Sequence, residues 1–184
     1  MNWLIFIIAA YVLLALESGL RMLLQVGGVA PSFVLVLALY VGLMAPSAVV
    51  PWAFLILGLL VDLQPGPVRD GTLIGPMALG YLAGSYVVLQ LRTLVFRESV
   101  LALAVLVLVV GIFIQLVYVA LLTMRGMGML TAEPIMGWSA PDQLAQRFMM
   151  LLYSAVVAVP LGFVLFRTAS AWGFANRARA ERHF

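Results

Sequence analysis

The chain alternates between long apolar runs and short clusters of charge, glycine and proline. Six runs read as helices, at about 3–24, 31–44, 51–62, 72–91, 99–123 and 142–166, followed by a basic tail over 167–184. The fifth holds 23 uncharged residues from Val100 to Leu122, an extent of ~34 Å and a comfortable bilayer crossing. Gln25 to Ala30, with Gly27 and Gly28, reads as a turn. Pro31 suits the first position of the second helix, and Pro46 interrupts before the third. These two helices are shorter than the ~20 residues a crossing usually needs. One helix from Pro31 to Leu63 would run ~50 Å, too long for a single crossing. The pattern therefore predicts two short helices that thin the bilayer or lie buried in a bundle. The expected fold class is all-α, a polytopic bundle of six transmembrane helices forming one integral membrane domain.

Polar residues inside the runs are few. Glu17 and Arg21 stand four apart, on one helical face, in the order that favours an ion pair. A lone charge at the bilayer centre costs about 2.5–3.5 kcal/mol on insertion scales, and pairing near a helix end relieves it. The two read either as a self-neutralising intramembrane pair or as the polar floor of a cavity, with Ser18 and Gln25 nearby. Gly80 and Gly84 form a small-residue face suited to close helix packing. Gln115 and Tyr118 are neighbours on the fifth helix, where a buried Gln usually hydrogen-bonds another helix. Met127, Met129, Met136 and Trp138 form either an interfacial half-helix or an outward docking loop. Pro160 is expected to kink the sixth helix.

The stretch from Gly58 to Gly84 carries the densest signal. An apolar helix runs into the carboxylate Asp62. A turn follows with Pro65, Gly66, Pro67, Arg69, Asp70 and Gly71, and then Gly75 and Pro76 open the next helix. Proline fixes φ, so the turn reads as rigid. A carboxylate ending a helix gains nothing from the dipole, so Asp62 needs another reason to be there. One is local: it accepts hydrogen bonds from backbone N–H groups of the turn, or pairs with Arg69. The other is intermolecular: the turn presents Arg69 and Asp70 to a partner. Asp62, Gly66, Arg69, Asp70 and Gly71 are the candidate structural or partner site.

Composition sharpens the class. Hydrophobic residues make up 65% of the 184 and charged residues 9%, against roughly 25% charged in a soluble domain. Mean hydropathy is +1.17. An integral membrane protein is implied, with no room for a separate soluble domain. All ten basic residues are Arg, and the net charge of +3 is too small and scattered for nucleic acid. The absence of Cys excludes disulfides and thiolate metal sites. The N-terminal run lacks a basic leader region and reads as a retained helix, not a signal peptide. With six crossings both termini share one side. That side collects Arg92, Arg97, Arg167, Arg177, Arg179 and Arg182, so the positive-inside bias makes it cytoplasmic. The tail arginines suit anionic lipid headgroups.

Catalytic constellations are missing. An intramembrane aspartyl protease needs two facing carboxylates, and only Asp62 is at a plausible depth. The single His is His183, in the tail, leaving no serine-protease base and no zinc ligand set. There is no Lys for a phosphate loop. A non-enzyme without metal or cofactor is expected.

Gly58, Asp62, Leu63, Gly66, Gly71 and Tyr81 form a Gly-x-x-x-Asp-Leu helix end, a glycine-containing turn, and an apolar helix with a Tyr inside it. This stretch resembles the MreD family, small polytopic membrane proteins of the bacterial rod-shape (elongasome) system. Length and hydropathy agree over the rest of the chain. The resemblance implies a scaffold or regulator of cell-wall elongation in the cytoplasmic (inner) membrane. Its implied partners are MreC and, directly or through it, RodA with its penicillin-binding transpeptidase. The alternative is a substrate-binding S component of an energy-coupling-factor vitamin transporter, a family similar in size and helix count. S components typically carry an Ala-x-x-x-Ala face on helix one. Ala9, Ala10 and Ala15 lack that spacing, and polar residues to specify a vitamin are scarce.

Overall fold

The computed structural model describes residues 1–64, 75–94, 99–126 and 139–173. Six helices occur among them: α1 (Trp3–Leu24), α2 (Phe33–Met44), α3 (Val50–Asp62), α4 (Pro76–Leu91), α5 (Val100–Gly126) and α6 (Ala140–Arg167). Three of these, α1, α5 and α6, are long and apolar enough to cross a membrane. The described residues are thus all-helical, and three of the helices have the length and hydropathy of membrane spans.

The centre of the bundle is α2. Nearly every residue from Val34 to Leu43 is fully buried, and the helix touches each of the other five. A helix apolar on all sides needs neighbours on all sides. This settles how a 12-residue helix is accommodated: it lies inside the bundle. Its start is two residues later than expected. Ser32 has extended backbone and its hydroxyl accepts from the Leu35 N–H, which makes Ser32 the N-cap and leaves Pro31 outside the helix. Before it, Val26 and Val29 exchange backbone hydrogen bonds of 2.9 and 3.0 Å across Gly27 and Gly28. Both glycines have positive φ, +59° and +85°, as a tight two-residue hairpin turn requires.

Glycine sets how closely the helices approach. A Cβ on Gly80 would lie 3.0 Å from the Ile114 carbonyl oxygen, and one on Gly84 would lie 2.5 Å from the Ile114 side chain. The expected small-residue face is therefore real, and its partner is α5. Gly111 receives Leu151 across the α5–α6 seam in the same way, and Gly162 receives Leu103. Gly111 meeting Leu151 while Leu103 meets Gly162 shows that α5 and α6 run antiparallel. Beside this core, α1 leans away from α3 and leaves an apolar cleft of about 190 Å³ between Phe6, Ala10 and Leu14 on one side and Ile56 and Leu60 on the other.

Other boundaries also differ from the sequence reading. Helix α4 starts at Pro76, because Gly75 takes φ +133°, outside helical space; residues 72–74 lie outside the described set. Helix α6 starts at Ala140, earlier than Asp142, and runs unbroken through Pro160 to Arg167. The basic tail begins as packed structure: Trp172 is buried, its ring 5.4 Å from Tyr40, and its carbonyl accepts from the Asn2 N–H. The two ends of the described chain thus meet at one end of the bundle.

Gly84→Leu should overpack the α4–α5 seam and lower stability by about 1–3 kcal/mol, read as a fall in Tm in detergent. Gly19→Leu is the control, because a Cβ there meets nothing within 4 Å. An equal Tm for the two variants would mean that α4 and α5 do not depend on this close approach.

Candidate functional site

The first turn of any helix leaves backbone N–H groups without intrahelical partners, and a start packed against other helices needs a side chain to serve them. Asp62 answers this for α4. Its Oδ2 accepts from the N–H groups of Gly75 at 2.8 Å and Ala78 at 3.0 Å, and its Oδ1 from Met77 at 3.1 Å. Gly75 has no side chain to cap with and Pro76 has no N–H to satisfy. The carboxylate at the end of α3 thereby stands against the positive end of the α4 dipole, which outweighs its poor position on α3. The expected local role for Asp62 is observed, with one change. The N–H groups it binds belong to the start of the next helix, across the loop.

Gly58 makes this contact possible. A Cβ at Gly58 would fall 2.6 Å from the Ala78 Cα and 3.0 Å from the Met77 carbonyl oxygen. Backbone cannot step aside as a side-chain tip can. Gly58 and Asp62, one turn apart on α3, act on the same turn of α4: the glycine admits its backbone and the carboxylate binds its N–H groups.

A second carboxylate does the same for α2. Glu17 Oε2 accepts from the Val34 N–H at 3.1 Å and from the Ser32 hydroxyl at 3.2 Å. The Ser32 N–H donates to Ser154 Oγ on α6 at 2.9 Å. This corrects the expected Glu17–Arg21 ion pair. Glu17 turns inward to the helix start, while Arg21 is exposed. A fixed set of donors from a buried helix outcompetes an exposed arginine one turn away. Tyr81, also buried, packs its ring on Phe54 and places its hydroxyl among Ser32, Glu17 and Asp62, so the two capped starts share one polar region. The Gln64 amide donates to Ser18 Oγ at 3.5 Å at its rim.

At the opposite end Arg92 Nη1 donates to the Ala45 carbonyl, the C-cap of α2, at 2.9 Å. The buried helix thus has an anion at its start and a cation at its end, both matched to its dipole. Sequence reading placed Arg92 in a loop and gave Ser32 and Ser154 no role. Small polar residues at a helix start are the signal that marks Ser32; nothing local marks Ser154.

The chain matches no family model, no curated protein and no solved structure. The site therefore rests on its own geometry. Gly66, Arg69, Asp70 and Gly71, and the loop residues Met127, Met129, Met136 and Trp138, lie outside the described residues. Among the described residues no cluster of three or more potential metal ligands occurs.

Asp62→Ala should strand three N–H groups and cost about 3 kcal/mol, while Asp62→Asn, which keeps one acceptor oxygen, should cost less. Thermal melting in detergent reads both. A double-mutant cycle should find coupling above ~0.5 kcal/mol between Glu17→Gln and Ser32→Ala, and additivity between Glu17→Gln and Arg21→Gln. Strong coupling of the second pair and none of the first would reverse the assignment of Glu17.

Proposed function

We propose that the chain is a non-catalytic membrane scaffold or regulator of the bacterial rod-shape system, acting in lateral peptidoglycan synthesis through MreC and the RodA–transpeptidase machinery. The observation that carries this reading is the convergence of Gly58, Asp62 and Tyr81. These three of the residues behind the family resemblance lie at one structural junction, the start of α4. A motif whose members build one junction is a better mark of common design than the same letters scattered over a bundle. The described polar groups of the junction are occupied in holding helix ends. That suits a protein whose work is to present a fixed surface rather than to turn over a substrate.

In this reading all six helices are membrane-embedded and both termini are cytoplasmic. The Asp62 junction, the 65–74 loop and the 127–138 loop then face outward, where partners of the cell wall machinery work. Arg69 and Asp70 are the loop charges proposed to meet MreC. The tail arginines are proposed to meet anionic lipid on the inner face.

Two measurements test the proposal. The chain lacks Cys, so single cysteines at Gly66 and Asn176 report sidedness directly. Gly66→Cys should label only from outside and Asn176→Cys only from inside; labelling of Gly66→Cys from the cytoplasmic side alone would sink the topology. Capture of MreC should fall severalfold when Arg69 and Asp70 are exchanged, with Tm unchanged. Full capture and normal rod shape in both that exchange and Asp62→Ala would remove the junction from the functional account.

A further inference from the structure

The cleft between α1 and α3 is lined by apolar and aromatic side chains, among them Ile7 and Leu14 of α1 and Ile56 and Leu60 of α3. The face of α1 that lines it continues past it. Ile7, Leu14 and Arg21 stand seven apart, two turns each, and so form one row along the helix. Arg21 lies about 10 Å beyond Leu14. On α3 the row Ile56, Leu60 leads four residues on to Gln64. The Gln64 amide donates to Ser18 Oγ at 3.5 Å, which brings the two rows together at this end of the cleft. The apolar lining thus leads to a polar rim of Gln64 and Arg21. Glu17, one turn before Arg21, turns inward to Ser32 and Val34, and Arg21 is left exposed at the rim.

Two helices set the level of this rim. Trp3 and Arg21 are 18 positions apart, about 27 Å of helix, against a hydrocarbon core of ~30 Å. A crossing that puts Trp3 at one interface therefore puts Arg21 at the other. On α3 the uncharged run ends at Val61, and Gln64 lies beyond it. The rim belongs at the depth of the lipid headgroups.

Size and charge together select what fits. The cleft has a volume of about 190 Å³. One turn of helix, about 10 Å across and 5.4 Å long, displaces roughly 400 Å³ and cannot enter, whether it comes from another protein or from a second copy. An apolar cavity of ~150 Å³ accepts a benzene, so this cleft accepts a stretch of one hydrocarbon chain. A molecule that combines such a chain with an anion at headgroup level is an acidic phospholipid.

We propose that the α1–α3 cleft seats one acyl chain of an acidic phospholipid whose phosphate is held at Arg21, with the Gln64 amide as a second donor. The planar guanidinium takes phosphate oxygens through two parallel N–H groups. This site is separate from the basic tail, which begins beside Asn2 at the opposite end of α1. It rests on α1 crossing the membrane and not on the rod-shape reading.

The test uses the full chain in phosphatidylcholine vesicles. These hold traces of two photoactivatable lipids with the same diazirine-bearing acyl chain, one a phosphatidylglycerol and the other a phosphatidylcholine. Labelled peptides are identified by mass spectrometry. In the native chain the phosphatidylglycerol probe should label residues 7–14 and 56–60 about fivefold more than the phosphatidylcholine probe. Arg21→Gln should bring that ratio to one, and Arg21→Lys should keep most of it. Equal labelling of the native chain by the two probes would overturn the proposal without any variant having to fold. So would a preference that survives Arg21→Gln, or label spread evenly over the exposed faces of α1, α5 and α6. Displacement of the probe by inorganic phosphate would overturn it by assigning Arg21 to a free anion. Disulfide dimers of Ile7→Cys chains in the same vesicles would overturn it by giving the cleft to a second copy.

Discussion

A helix that begins inside a packed protein must have its first N–H groups satisfied from nearby, because water does not reach them there. Two short helices of this chain, α2 and α4, face that requirement, and each is met by a carboxylate from the helix before it. Glu17 of α1 serves α2 and Asp62 of α3 serves α4. The arrangement solves two problems together. The helix start gains an acceptor with full charge, and the carboxylate gains fixed dipoles in place of solvent. Neither group is tolerable there alone. The helices that carry the acids are thereby tied to the helices that receive them, and the order α1–α2 and α3–α4 becomes a pair of linked hairpins. Arg92 completes the scheme by binding the far end of α2.

Close approach is the second condition, and glycine supplies it. The carboxylate of Asp62 is short, so it reaches the start of α4 only if the α3 backbone runs close by. Gly58 allows this, one turn earlier on the same face. Alanine at Gly58 would press its Cβ on backbone atoms of Met77 and Ala78 and draw the acceptor away from its donors. The same logic holds α4 to α5 through Gly80 and Gly84 at Ile114. In lipid there is little hydrophobic gain from bringing two apolar helices together, so contact area at short range has to supply the attraction.

Much of this was visible in the order of residues. The six segments, the packing role of Gly80 and Gly84 and the local role of Asp62 all follow from period, breaker residues and the oddness of a carboxylate ending an apolar helix. What escaped was long-range. Glu17 and Arg21 have ideal spacing for a pair, and a one-dimensional reading cannot know that the start of α2 lies against Glu17. Ser154 accepts from a residue 122 positions away and carries no local mark. Trp172 sits in a stretch whose arginines suggest a free tail, yet its ring is buried against Tyr40. Pro31 suggested a helix start because proline favours the first helical position; Ser32 has the stronger claim because its hydroxyl can accept.

The distribution of polarity bears on where function can reside. Glu17, Asp62, Ser32 and Ser154 are joined to helix starts or to each other, while the centre around α2 is packed with aliphatic and aromatic side chains. The outer surfaces are apolar: Leu4, Ile7 and Tyr11 are exposed on the flank of α1, Val105 and Val109 on α5, and Val156 and Phe163 on α6. In a membrane these faces meet lipid or another helix. Apolar side chains meet either equally well, so they give contact without choice.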